Sequence, residues 1–211
     1  MARRDTRSLI LQVSLDLFNQ SGEPNVSTNL IALEADISPG NLYYHFRSKD
    51  DIALDLFKQF LGELQPLLHL DESMETDVEA LWLRLHLVFE TMGRFRFVYR
   101  NLGDLKIRMP DLGTAFSGLL KMQHDMLTQL FSSLESSANM TCSDLEREAL
   151  ADNMLLTMTY WIPYAELRKD SGFEDGSVLA AAVSRTLLLI APYLHEPDRS
   201  KLTSLAGSYL D

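Results

Sequence analysis

Several features are scarce in this sequence, and each absence excludes a class of protein. Its 211 residues include one cysteine, Cys142, so the chain forms no internal disulfide, which fits a reducing cytoplasm. Apolar runs such as residues 187–191 are far shorter than the roughly 20 residues of a membrane-spanning helix. The first residues, MARRDTRS, carry no apolar run. We therefore expect no signal peptide, no membrane partner and a cytoplasmic location.

The sequence patterns of enzymes are also missing. There is no glycine-rich phosphate loop and no G-x-S-x-G nucleophile elbow. The five histidines are dispersed along the chain. His86 and Glu90 are one helical turn apart, but no third metal ligand is near them in sequence. We expect no metal site, no cofactor and no catalytic residue, and we do not interpret the chain as an enzyme.

Positive charge is scarce as well. The net charge is −11, of which residues 1–50 contribute −1 and residues 51–211 contribute −10. An acidic body repels DNA unless it is held away from the duplex. The charge distribution therefore leaves open a helical small-molecule-binding or adaptor protein without specific DNA binding.

Helical hydrophobic periodicity runs through the chain, and no segment has a convincing strand pattern. We predict an all-α fold with an N-terminal three-helix unit and a larger helical body of five or six helices. The first helix is predicted over residues 5–20, where Ser21 and Gly22 stop it. The predicted core of the three-helix unit is Phe18, Leu30, Leu33, Leu42 and Phe46.

Residues 27–50 contain two short helix patterns separated by a tight turn. Ser27 or Thr28 caps the first, and Ser38 caps the second, which has Pro39 at its first position. Asp36 lies in the turn, where a left-handed backbone is common and Asp tolerates it better than most residues. This arrangement is typical of a helix-turn-helix.

The segment S-P-G-N-L-Y-Y-H-F-R-S-K-D, residues 38–50, resembles the signature of the TetR family of bacterial transcriptional regulators. The resemblance covers roughly residues 5–56 and departs at Asp36, where the family usually has Gly. It implies a DNA-binding domain in residues 1–50 and a ligand-binding and dimerisation domain in residues 51–211.

The resemblance also implies a mechanism. It implies a homodimer, joined through its last two long helices, that binds a near-palindromic operator in successive major grooves about 34–36 Å apart. A small-molecule effector, largely apolar, would shift the helix at residues 50–64 and release the DNA. The resemblance itself implies a repressor rather than an activator.

The predicted DNA contacts lie on the second helix of the pair and near its ends. Gly40 allows the backbone to approach base edges, and Asn41 has the donor and acceptor that read adenine. By resemblance, Thr28, Tyr43, His45 and Lys49 contact phosphates. The full predicted set is Arg3, Arg4, Thr28, Ser38, Pro39, Gly40, Asn41, Tyr43, Tyr44, His45 and Lys49.

Two patterns stand out in the body. Residues 94–108 alternate arginines with aromatic residues, and we predict a short helix followed by a loop there. These arginines either bind an anionic group of a ligand or form a solvated basic face that balances the charge of the acidic helices. Ser143 and Glu146 form a capping box for a helix over residues 144 to about 169, which Pro163 is expected to kink or end early.

Methionines and aromatic residues of the body fit either an adaptable apolar pocket or an ordinary core. Residues 177–194 are apolar on nearly all sides, so we predict a helix buried against its own core and against a second subunit. The predicted dimer-interface residues are Val183, Leu187 and Ile190. The predicted effector-binding residues are Phe89, Arg96, Phe116, Met122, Met126, Met158, Trp161 and Tyr164.

Overall fold

A computed structural model describes residues 5–70, 77–137, 139–168 and 176–209. Within these ranges the chain forms α-helices, two single 3₁₀ turns and no β-strand, so the all-α prediction is confirmed. The helices are α1 Thr6–Ser21, α2 Thr28–Glu34, α3 Pro39–His45, α4 Lys49–Leu68, α5 Val78–Arg94, α6 Arg96–Arg100, α7 Leu102–Arg108, α8 Pro110–Ser136, α9 Asp144–Leu167, α10 Ser177–Ile190 and α11 Asp198–Gly207.

The chain divides into two compact units. The first comprises the residues up to Glu63 together with Arg94–Phe116, and the second comprises Leu64–Gly93 and the residues from Ser117 onwards. Helices α4 and α8 contribute residues to both. The first unit is thus larger than the predicted DNA-binding domain, because α6 and α7 belong to it.

The first three helices begin where the sequence predicts, and each has a side-chain cap. Asp5, Ser27 and Ser38 cap α1, α2 and α3, each accepting a hydrogen bond from a backbone amide of the first turn. Gly22 ends α1 with a φ of +79°, which glycine adopts without steric cost. The caps at Ser27 and Ser38 were predicted, because they involve residues close in sequence. Asp5 was predicted to lie inside the first helix and instead caps it.

Asp36 has a φ of +52°, as expected for the turn between α2 and α3. Its amide donates to the carbonyl of Leu33 at 3.1 Å, and the next amide, that of Ile37, donates to Ala32 at 3.0 Å. The left-handed residue lets the chain leave α2 while two of its last carbonyls keep partners.

The core of the helix-turn-helix is formed largely as predicted, with one error. Phe18, Leu42 and Phe46 are buried, and Leu30 is half-buried. Leu33 is 73% exposed, so its assignment to the core was wrong. The buried side of α2 is formed by Ile31, Ala32 and Ala35. A helical residue two positions from Ile31 points to nearly the opposite side, which is why Leu33 faces outward.

The segment after α5 also differs from its prediction. The predicted loop after the first short helix is instead a second helix, α7, and Gly103 lies inside it. Five of its seven residues are exposed, and Leu105 is the only fully buried residue of this helix. One buried anchor in a mostly polar helix gives too weak a periodic signal to predict the helix from sequence.

Helix α9 has the predicted capping box. The Glu146 amide donates to Ser143 Oγ at 3.3 Å, and the Ser143 amide donates to Glu146 Oε2 at 2.8 Å. The helix continues past Pro163 to Leu167, so of the two expected effects of this proline, a kink or an early end, the early end does not occur. The Trp161 indole donates to the carbonyl of Val178 on α10 at 2.8 Å, and this contact ties α9 to its neighbour just before the proline.

Helix α10 is shorter than predicted. It ends at Ile190, and a 3₁₀ turn, Ala191–Tyr193, continues the chain. Pro192 lies inside this turn and has no amide proton to extend the α-helical ladder. Within the described ranges, no helix combines the length and apolarity that crossing a bilayer requires.

Asp36 provides a test of the backbone strain in the turn. Asp36→Gly should have a free energy of unfolding about 1 kcal/mol larger than Asp36→Ala, because only glycine adopts a positive φ without a Cβ clash. Urea unfolding followed by circular dichroism measures the difference. Gln12, exposed on α1, is the control: there the glycine variant should be the less stable of the two. Equal stabilities at Asp36 would contradict the assigned conformation.

Candidate nucleic-acid interface

Helix α3 is held by a single buried residue and presents the rest of its surface to solvent. Leu42 is completely buried, whereas Pro39, Gly40 and Asn41 are exposed and Tyr44 is 85% exposed. An exposed aromatic side chain beside exposed amide and backbone groups is a surface suited to a partner. The predicted base-reading residues therefore share one accessible face at the start of the helix.

The structure brings together two of the predicted phosphate contacts. The hydroxyl groups of Thr28, at the start of α2, and Tyr43, on α3, are hydrogen bonded at 2.9 Å. Tyr43 is 49% exposed, so the pair is accessible. His45 lies in the last turn of α3, where the ring of Tyr44 packs edge-on against it at 5.2 Å. These hydroxyl and imidazole groups can act as donors to phosphate oxygens.

Lys49 has partners within the first unit. Its ammonium lies 3.1 Å from the carboxylate of Glu23 and donates to the Glu23 carbonyl at 2.8 Å. Its side chain is 21% exposed, and Glu23 is completely buried. Sequence reasoning missed Glu23, because nothing near it in sequence indicates where its partners lie. The phosphate contact of Lys49 remains a prediction.

The N-terminal arginines of the prediction, Arg3 and Arg4, lie outside the described residues. Arg7 is the first arginine that is described. It forms an ion pair with Asp55, and its guanidinium lies 4.7 Å from the centre of the Phe46 ring. Arg7 thus braces α1 against α4 and the end of the recognition helix.

Two arginines of residues 94–108 pair with carboxylates of the same unit. Arg94 lies 2.6 Å from Glu63, and Arg108 lies 2.6 Å from Glu23 and 2.8 Å from Asp104. Partial burial disfavours the charged form of Arg108, but Asp104, Glu23 and Asp50 outweigh it and raise the pKa of Arg108 above its ordinary value. The guanidinium is therefore charged at neutral pH.

The predicted effector-binding residues are divided between the two units. Arg96 and Phe116 belong to the first unit, and Phe89, Met122, Met126, Met158, Trp161 and Tyr164 belong to the second. In the second unit all are buried or half-buried except Tyr164, which is 48% exposed and stacks against Trp161 with ring centres 5.7 Å apart. The guanidinium of Arg185 lies 5.2 Å from the Trp161 ring. Their effector role remains a prediction.

Arg96 lines a polar groove of about 360 Å³ in the first unit. Charged side chains of both signs, including Asp16, Glu63 and Arg94, form much of its wall. Arg96 was predicted to bind an anionic group of an effector, and this role remains a prediction.

The predicted dimer-interface residues are buried within a single chain. Val183 is 3% exposed, and Leu187 and Ile190 are completely buried. The apolar side chains that α9 and α10 expose are different ones: Leu145, Leu156, Tyr160, Tyr164, Leu167 and Leu188.

Cys142 is half-buried, and its thiol lies 3.4 Å from Glu135. Burial and the neighbouring carboxylate raise the pKa of Cys142 to about 11, so the thiol is protonated and a poor nucleophile at neutral pH. Among the described residues, no three histidine, cysteine or acidic side chains are grouped so that they could hold a metal ion.

The different surroundings of Lys49 and Tyr43 generate a prediction. Lys49→Met should lower the free energy of unfolding by roughly 1–3 kcal/mol, because it leaves the buried Glu23 carboxylate with one partner fewer. Tyr43→Phe removes only an exposed hydrogen bond and should change stability by less than about 0.5 kcal/mol. Urea unfolding measures the free energy of unfolding of both variants. If both lose the same amount of stability, the ion pairs of Glu23 do not stabilise the fold.

Comparisons with known proteins agree with this geometry. A model for bacterial regulatory proteins of the tetR family matches residues 10–56. A second model, described as a bacterial transcriptional repressor, matches residues 59–202. The two matches cover the helix-turn-helix and most of the remaining helices.

The chain also resembles individual proteins. It is 35% identical over 65 residues to the HTH-type transcriptional regulator AcrR of Shigella flexneri, a match that spans 29% of this chain and only 30% of AcrR. A TetR-family transcriptional regulator from Marinobacter aquaeolei VT8 has a TM-score of 0.87 at 30% identity, covering 97% of this chain and 98% of that one. SmeT of Stenotrophomonas maltophilia, in complex with triclosan, shares the fold with a TM-score of 0.58 at 15% identity, over 92% of this chain and 94% of SmeT.

Proposed function

The chain belongs to the TetR family of bacterial transcriptional regulators, and on that premise we propose that it is a ligand-responsive repressor that binds a near-palindromic operator as a homodimer. The proposal assigns DNA binding to residues 1–50 and effector binding and dimerisation to residues 51–211. The observation that carries it is the accessible face of α3, on which Leu42 alone is fully buried.

In the proposed complex, the first turn of α3 enters the major groove. Asn41 and Tyr44 contact bases, while Pro39 and Gly40 allow the backbone to come close. Thr28, Tyr43, His45 and Lys49 contact phosphates, with the amide groups at the capped N-termini of α2 and α3 as further donors. Arg3 and Arg4 reach the backbone or the adjacent minor groove.

The second part of the proposal concerns the dimer. On α9, Leu156, Tyr160, Tyr164 and Leu167 are between 48% and 84% exposed. Their spacing of three or four residues puts them on one side of the helix, and Leu188 of α10 is a further exposed apolar residue. An apolar stripe of this length on a soluble protein is typical of a subunit interface. We therefore propose that these exposed residues, rather than Val183, Leu187 and Ile190, meet the partner directly.

The third part concerns the effector. SmeT, which shares this fold, was crystallised with triclosan, and buried methionine and aromatic side chains in the second unit here suit an apolar small molecule. Such a molecule releases DNA only if it binds the DNA-incompetent conformation more tightly than the competent one. Helix α4 connects the proposed DNA-binding residues to the proposed effector-binding residues. It starts four residues after the end of α3 and contributes residues to both compact units.

DNA binding is tested with an operator selected by the purified protein from a library of random duplexes. We expect a selected site with two-fold symmetry and an affinity that falls steeply with salt. Asn41→Ala and Tyr44→Ala should each weaken binding about tenfold, the factor expected for losing one base contact. Leu33→Ala is the control, because Leu33 is equally exposed but lies on the outer side of α2.

Fluorescence anisotropy measures these affinities. If no duplex is enriched, and binding to any DNA is weak and independent of sequence, the repressor proposal fails. The acidic body would then favour the alternative, a helical small-molecule-binding or adaptor protein without specific DNA binding.

The dimer is tested by placing charge on the exposed stripe. Leu156→Glu and Leu188→Glu should yield folded monomers, because a carboxylate in an apolar interface loses its hydration. Analytical ultracentrifugation gives the mass, and circular dichroism gives the helix content. Leu83→Glu, at an exposed position on α5, should leave the dimer intact, whereas Leu187→Glu should unfold the chain. Dimeric Leu156→Glu and Leu188→Glu variants would refute the proposed interface.

A further inference from the structure

Segment 94–108 has no role in the proposed DNA contacts. It is nevertheless bound to the end of α1 and to the turn between α1 and α2 by hydrogen bonds and an ion pair. The buried side chain of Asn19, at the end of α1, donates to the Arg94 carbonyl at 2.8 Å and accepts from the Phe97 amide at 3.0 Å. In return, Arg100 donates to the Asn19 carbonyl at 3.1 Å. The side chains of Asn19 and Arg100 thus satisfy free backbone groups at the C-termini of α1 and α5 and at the N-terminus of α6.

Further contacts join the segment to Glu23, in the same turn. The backbone amide of Glu23 donates to the side chain of Asn101 at 3.2 Å. The Glu23 carboxylate is completely buried and lies 2.6 Å from the guanidinium of Arg108 and 3.1 Å from the ammonium of Lys49. A buried carboxylate is tolerated only when its partners are in place, so these three charges are held as a group.

Arg108 also reaches the start of α4. Besides Glu23, its guanidinium pairs with Asp50, in the first turn of α4, and with Asp104 on its own helix at 2.8 Å. Arginine suits this position because its planar group offers five donors in fixed directions. One side chain of α7 therefore contacts both the 3₁₀ turn Glu23–Asn25 and the first turn of α4.

These two contacts lie on either side of the DNA-binding pair of helices. Helix α2 begins at Thr28, three residues after the 3₁₀ turn, and α3 ends at His45, four residues before Lys49. Phe46, in the second connection, is buried. Fixing Glu23 and Asp50 thus fixes both the entrance and the exit of residues 28–45.

We propose that Arg108 is a positioning residue for operator binding: through Glu23, Lys49 and Asp50 it sets the orientation in which each protomer presents α3 to DNA. The inference rests on the proposed dimer at a palindromic operator. Two recognition helices must meet half-sites at one separation, so rigidly held units discriminate against other spacings. Loosely held units adapt to those spacings and gain less from the correct one.

Arg108→Gln removes the bridge, and Arg94→Gln is the matched control. Both substitutions remove one positive charge from an ion pair of the same segment, but the Arg94–Glu63 pair is exposed and does not touch the turn. Arg108→Gln leaves the buried Glu23 carboxylate without its arginine partner, which lowers the stability of the fold. A second variant, Glu23→Gln/Arg108→Gln, removes both charges and so avoids this loss of stability, while the contact between α7 and the turn is still missing its ion pair.

The experiment uses the full-length dimer and the selected operator, together with versions in which the half-sites are one base pair closer or farther apart. Anisotropy titrations should show that the wild type and Arg94→Gln bind the altered spacings at least about tenfold more weakly. Arg108→Gln and the double variant should bind the selected operator about tenfold more weakly and discriminate between spacings by less than about threefold.

Spacing discrimination separates positioning from general stability, because a merely less stable protein loses affinity for all three duplexes by one factor. Undiminished discrimination in both Arg108 variants overturns the inference and leaves the proposed function intact. If the wild type itself binds no selected operator, the proposed function fails and the inference fails with it. Reduced discrimination in Arg94→Gln as well would assign the effect to charge and would also overturn the role of Arg108.

Discussion

The buried carboxylate of Glu23 is the constraint on which the first compact unit depends. A charge with no solvent contact costs several kcal/mol unless it is paired, and its partners here come from distant parts of the chain. Lys49 belongs to α4 and Arg108 to α7, so the unit cannot close around Glu23 until both helices are in position. This requirement explains why the compact unit extends beyond the helix-turn-helix and includes α6 and α7.

The same pairing bears on how a chain with a net charge of −11 binds nucleic acid. Several basic groups near the helix-turn-helix, including Arg7, Lys49 and Arg108, have carboxylate partners within the unit. The face of α3 is therefore dominated by neutral groups such as Asn41 and Tyr44. Neutral contacts depend on fit and contribute little long-range attraction, so we expect the geometry of two correctly spaced recognition helices to supply much of the affinity.

Patterns confined to a few neighbouring residues were predicted well. Caps at Ser38 and Ser143 and the left-handed turn at Asp36 depend on groups within four residues of one another. Predictions failed where distant contacts decide the outcome. Leu33 looks apolar enough for a core, but the buried side of α2 is set by what packs against it. Helix α9 continues past Pro163, and the indole of Trp161, close to this proline, is hydrogen bonded to α10.

The sequence by itself determined the helical class, the boundaries of the first three helices and the family, because periodicity, capping and the recognition-helix signature are all local. Tertiary structure alone decided two things. It paired Glu23 with Lys49 and Arg108, since ion pairs across 26 and 85 residues leave no local signal. It also turned Leu187 toward its own core and Leu188 outward. A helix that is apolar on nearly every side has no periodicity to tell one face from another, so only its packed neighbours decide which face remains for a partner.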